Sequence, residues 1–187
     1  AAKSDIALNA KSQDPENNIP AIIYWDQMEG LGFEETSFIV EKLIVENGIN
    51  YIHGQPGKGK TLVSLNLAKS IAKGEHAFGS EKFKTKQTKV LIVDNDNDRY
   101  QNMKRVGAMD GLNTSKAAYY RDSSDFNIED NEKVNKLFYF IKEHQFKVII
   151  FDITRDIHRG QEDSSTDMSL LNSFFKRIIS ETKSTII

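Results

Sequence analysis

Eight consecutive residues constrain this chain more than any other feature. Gly54-Gln55-Pro56-Gly57-Lys58-Gly59-Lys60-Thr61 fits the pattern G-x-x-x-x-G-K-[ST] at every fixed position. The motif needs a strand before it and a helix after it. Ile49-Asn50-Tyr51-Ile52-His53 reads as a short buried strand, and Leu62 to Lys73 reads as a helix. In that setting backbone N–H groups wrap the β- and γ-phosphates, and the helix N-terminus adds a partial positive charge. Lys60 is expected to pair with phosphate oxygens as a point charge, and the Thr61 hydroxyl to ligate Mg²⁺. The candidate nucleotide-binding set is therefore Gly54, Gln55, Pro56, Gly57, Lys58, Gly59, Lys60, Thr61 and Leu62. A Gly/Lys-rich surface turn is the competing reading, and the flanking elements weigh against it.

The rest of the chain alternates strands with helices. Lys89-Val90-Leu91-Ile92-Val93-Asp94 is the clearest buried strand, four aliphatics ending in an acid. Lys147-Val148-Ile149-Ile150-Phe151-Asp152 repeats that pattern. Helices are expected over Asp98 to Gly107, Glu129 to His144 and Met168 to Ser180, with short strands at Phe38 to Val40, Ala117 to Tyr120 and Ser184 to Ile187. Gly74 to Thr88 reads as a polar excursion anchored by Phe78 and Phe83. Together these predict an α/β fold with a mostly parallel sheet covered by helices on both faces.

Residues 1–37 read as a polar arm or docking segment, and residues 38–187 as the core. Tyr24 and Trp25 are expected to pack on the core rather than stack on bases. The 187 residues carry a net charge of −2, so no global basic field advertises nucleic acid. There is no cysteine, which excludes disulfides, thiol catalysis and Cys-ligated metals. Four scattered histidines argue against a zinc site. No apolar run reaches the roughly 20 residues of a membrane span. A soluble cytoplasmic protein without a membrane partner is expected.

The two strand-end acids carry the remaining chemistry. An apolar strand delivering Asp152 some distance after such a loop is a Walker B element, whose carboxylate holds the Mg²⁺ shell. A helix-capping Asp is the bland alternative. Val90 to Val93 leads into Asp94-Asn95-Asp96-Asn97-Asp98. One of these carboxylates is a candidate to polarise an attacking water. The alternatives are a solvated acidic loop or a calcium-type turn. Arg99 stands at the sixth position from Asp94, where a calcium loop requires Gly.

On these residues the chain resembles RecA-like P-loop ATPases, and within them the RepA-type hexameric replicative helicases and their plasmid and phage relatives. The resemblance runs from about Phe38 to Ile187. It includes Phe38-Ile39-Val40-Glu41-Lys42-Leu43 with Gly48, the turn Gly74-Glu75-His76-Ala77-Phe78-Gly79, and Asp152-Ile153-Thr154-Arg155 followed by Gly160, Glu162 and Met168. The resemblance implies a RecA-like core, ATP and Mg²⁺ as ligands, a homo-oligomeric ring (a hexamer in the family), and single-stranded DNA as a partner.

Relatives place a catalytic Glu after the second strand. The matching position here is Asp96, one methylene shorter, with Asp94 as the alternative. The family also inserts the strand after Walker B between the P-loop and Walker B strands. Here that strand begins near Ser184 and the sequence ends at Ile187, so a piece of a longer protein is expected, truncated before the usual γ-phosphate sensor and arginine finger.

The first functional reading is an ATPase motor with Lys60, Asp96 and Asp94 as catalytic residues and Thr61 and Asp152 at the metal, slow as an isolated chain. The second is a regulatory or recombination-mediator ATPase in which ATP controls assembly. A third, a small-molecule kinase, fits less well. Arg155, His158 and Arg159 divide evenly between phosphate, subunit or DNA contacts and solvated charge. Glu162, Asp163 and Asp167 read as an acidic loop, and Lys82, Lys84, Lys86 and Lys89 as a solvated basic edge rather than a phosphate contact.

Overall fold

A computed structural model describes residues 24–25, 35–55, 57–94, 99–108, 115–120, 126–152 and 165–187. The chain divides into two compact units, Ala1–Glu35 and Thr36–Ile187. In the first, Tyr24 and Trp25 are exposed, Trp25 by 90 %.

The second unit is built on a four-stranded parallel sheet. Its strands are β3 (Val90–Asp94), β4 (Ala117–Tyr120), β5 (Val148–Asp152) and β6 (Thr185–Ile186), in the order β4-β3-β5-β6. Every residue of β3 and β5 is buried, as parallel strands with helices on both faces require. Strand alternation then sorts the side chains. Val90, Ile92, Val148 and Ile150 face α1 (Lys60–Lys73), meeting Leu65, Leu67, Ala68 and Ile71. Leu91, Val93, Ile149 and Phe151 face the opposite way, onto α3 (Asn131–His144) and α4 (Ser165–Thr182), where Leu137, Ile141, Leu171 and Phe175 are buried. A further helix, α2 (Arg99–Ala108), joins β3 to β4.

Local signals set the helix ends. Asp130 caps α3 by accepting from the backbone N–H groups of Glu132 (3.0 Å) and Lys133 (3.3 Å). Gly74 ends α1 in the left-handed region, and its N–H returns to the Ser70 carbonyl.

Beyond β6 lies the segment that enters the glycine loop. Ile49 bridges Ile186 in parallel, and the Asn50 N–H donates to the Ile186 carbonyl at 2.9 Å. The spatial order is therefore β4-β3-β5-β6-Ile49, with β6 between β5 and the loop's entry segment as the family ordering implies. The expected short buried strand over 49–53 is corrected to this single bridge, with Tyr51 and His53 exposed. Its described pairing lies on one side only, against a two-residue strand, so a longer ladder has no partner.

The strand expected at Phe38 to Val40 is present as β1 (Phe38–Val40), which turns back onto β2 (Ile44–Val45) as a small antiparallel pair. One further expectation changes. In the excursion after α1, Ala77 is the buried anchor and Phe83 is partly buried. Phe78 is exposed and leans edge-on against Phe83, with ring centroids 6.2 Å apart.

Candidate functional site at the carboxyl edge of the sheet

The glycine loop closes on helix α1 through two left-handed residues. Gly57 has φ +73° and Gly59, the N-cap of α1, has φ +88°. A Cβ at either would touch nothing within 4 Å, so backbone conformation rather than space demands glycine there. No side chain caps α1, and its first turn holds no acid. Its leading N–H groups and positive dipole end are thus a polarised anion site. Lys60 Nζ donates to the carbonyls of Gly54 (2.8 Å) and Gln55 (3.3 Å), which holds the ammonium over the loop. Thr61 is half-buried in the first turn, and the Leu62 side chain is exposed. Pro56 lies outside the described residues.

The second half of the site comes from strand ends. Asp94 closes β3 and Asp152 closes β5, and they are direct partners in the parallel register. Neighbouring strands lie roughly 4.8 Å apart. Asp94 is 4 % exposed and Asp152 7 %. Each stands two residues beyond a side chain that faces α1 (Ile92, Ile150), so alternation puts both carboxylates on the α1 face.

Tyr119 of β4 joins them. It pairs with Ile92 in register and is 39 % exposed. Burial first, then the charges of Asp94 and Asp152, push its phenol up to about 12, while Arg105 of α2 pulls the other way. Tyr119 belongs to no motif; only its place in a strand beside β3 marks it.

The remaining expected residues are not brought into this picture. Asp96 and the run 95–98 lie outside the described residues, as do Arg155, His158, Arg159, Glu162, Asp163 and the side chain of Asp167. Among the described residues no group of three or more His, Cys, Asp or Glu side chains is gathered. Mg²⁺ takes one or two protein ligands and completes its shell with phosphate and water. The hard oxygen donors of Thr61 and Asp152 fit that ion.

A family model described as an AAA domain matches residues 16–187. The chain belongs to this AAA-domain family. Its fold is that of a P-loop NTPase core, an α/β fold with a parallel four-stranded sheet flanked by helices. A search of curated proteins finds no match. No helix among the described residues is long and apolar enough to cross a membrane.

Proposed function

We propose that this AAA domain binds ATP with Mg²⁺ and hydrolyses it, and that turnover is coupled to unwinding of, or translocation on, single-stranded DNA by a homo-oligomeric ring of the RepA helicase type. Residues 38–187 form the ATPase core and residues 1–37 an arm. One observation carries the hydrolytic reading: Asp94 and Asp152 stand side by side on the face shared with α1, the helix that the glycine loop opens.

Lys60 and the leading N–H groups of α1 hold the phosphates. Thr61 and Asp152 hold the Mg²⁺ shell, which when bound offsets charge developing on the transferred phosphoryl oxygens. A carboxylate across from Lys60 orients the attacking water. Asp96 holds that role by sequence position and Asp94 by its place beside Asp152. An Asp is one methylene shorter than the Glu of relatives, a displacement of about 1 Å that slows turnover. A neighbouring subunit supplies the arginine, so the isolated chain is slow.

A second reading, a regulatory ATPase in which ATP controls assembly, draws on the same Asp-for-Glu departure. The kinase reading is disfavoured by β6, which separates β5 from the loop segment where small-molecule kinases place the two side by side.

Steady-state ATP hydrolysis with and without single-stranded DNA, for the chain and its Lys60→Ala, Asp94→Asn and Asp96→Ala forms, decides between them. DNA-stimulated turnover, lost in Lys60→Ala and in one Asp variant, is the expected result and names the water-orienting residue. ATP binding without DNA stimulation favours the regulatory reading. Binding that survives Lys60→Ala unchanged overturns both.

A further inference from the structure

The opposite edge of the sheet carries a feature that the nucleotide site does not use. Lys116, Lys89 and Lys147 each immediately precede a strand, β4, β3 and β5 respectively, and these strands are neighbours. The register pairs Val90 with both Ala117 and Val148, so the three lysines stand in one row. Backbone bonds confirm the alignment: the Val90 N–H donates to the Lys116 carbonyl (2.7 Å) and the Lys147 N–H to the Lys89 carbonyl (3.0 Å). With strands roughly 4.8 Å apart, three ammonium-bearing side chains span about 10 Å.

The row borders an open cavity of about 570 Å³, also lined by Lys142 and floored by Ile141 and Phe146. Two of these ammonium groups are held by neutral partners. Lys89 Nζ donates to the His144 carbonyl at 3.0 Å and Lys147 Nζ to the Thr182 carbonyl at 3.4 Å, at the ends of α3 and α4. Such bonds fix a side chain without cancelling its charge, and an ammonium has three donors. The helix ends contribute only about half a negative charge each. Among the described residues lining the cavity, Glu181 is the carboxylate, and it is shared between Lys142 (2.8 Å) and Arg177 (2.8 Å). Glu46 also feels Lys147, but its own partner is Lys86. Lys89 and Lys147 thus keep their charge on neutral carbonyl partners, in a chain whose net charge is −2. In-register like charges are destabilising in a sheet, which makes a purely structural row costly.

We infer that this lysine row binds a multiply charged phosphate ligand, either the backbone of a single-stranded nucleic acid or a free oligophosphate, at the edge of the sheet opposite the nucleotide site. This does not rest on the ATPase reading.

The test uses the 187-residue chain carrying Lys60→Ala, so that the glycine loop is weakened as a competing phosphate site. A labelled single-stranded DNA oligonucleotide is followed by anisotropy, and inorganic tripolyphosphate by calorimetry. At least one probe binds, and Lys89→Gln with Lys147→Gln weakens it tenfold or more, while Lys89→Arg with Lys147→Arg restores it. The single Gln variants are measured alongside, each expected to lose about threefold, so a folding failure of the pair leaves two chains to read. For DNA, the paired Gln substitutions lower the salt slope by about 1.4, at roughly 0.7 per phosphate contact on a single strand. Binding of the oligonucleotide alone assigns nucleic acid, and binding of tripolyphosphate assigns a free phosphate ligand. Failure of both probes to bind, or equal binding by the Gln and Arg forms, overturns the inference.

Discussion

Tyr119 makes the geometry of the acidic edge measurable without any nucleotide. Its phenol is raised above the ordinary value of 10 to about 12, chiefly by burial and then by Asp94 and Asp152. A raised phenol favours the neutral form in the folded chain. Its contribution to stability is therefore fully present below pH 10 and is lost as the pH rises from 10 through 12. Ultraviolet difference titration, with Tyr119→Phe to isolate this ring among the six tyrosines, is expected to show a phenolate midpoint near 12. Asp94→Asn removes one of the two raising charges, so the midpoint should fall. An unchanged midpoint would mean that Asp94 lies farther from the ring than the register implies. None of this was legible from Ala117-Ala118-Tyr119-Tyr120 alone, because the effect depends on which strand lies next to β4.

At the scale of single elements, helix α1 separates structural from functional glycine. Gly74 has φ +73°, and a Cβ there would lie 3.1 Å from Gln87 Cβ. Gly59 has φ +88° with open space around it. Both alanine variants carry left-handed strain of about 1–2 kcal/mol, and Gly74→Ala adds crowding. Urea unfolding should therefore rank Gly74→Ala as the less stable. ATP binding should show the reverse order of damage, because Gly59 shapes the loop. Helix α3 gives a simpler expectation. Asp130→Ala removes an N-cap that accepts two backbone bonds and should cost about 1 kcal/mol, read as a lower urea midpoint at unchanged slope. Elements of this kind were readable in advance because their causes are local. The aliphatic runs of β3 and β5, the glycines around α1 and the apolar face of α3 all lie within a few residues. The turn between β1 and β2 was not readable, since it places Lys42 at φ 59° where no glycine or asparagine announces it.

For the whole molecule, the sheet order decides what touches what, and order is a non-local property. The motif marks a candidate phosphate loop from local residues, but the pairing of Asp94 with Asp152 and the row of lysines join residues from separate strands. Only the register brings them together. β6 is the narrowest point of that order. Ile186 is 1 % exposed, pairs with Ile149 of β5, and bridges Ile49 on the way to the glycine loop. Asn50 reinforces the junction, its Nδ2 donating to the carbonyls of Ile186 (3.1 Å) and Val45 (3.2 Å). Ile186→Ala deletes buried methyl groups between two strands and should cost about 2–5 kcal/mol. Leu170→Ala, which trims an exposed side chain on α4, should stay within about 0.5 kcal/mol. The stability contrast tests the core. The second readout tests the architecture. If β6 transmits position from the Asp152 strand to the loop, Ile186→Ala should also weaken ATP binding under conditions where the variant remains folded, although Ile186 belongs to the core on the α3 and α4 face rather than to the loop. A destabilised variant that binds ATP as tightly as the parent chain would show that the loop and α1 hold the phosphates without help from the strand order.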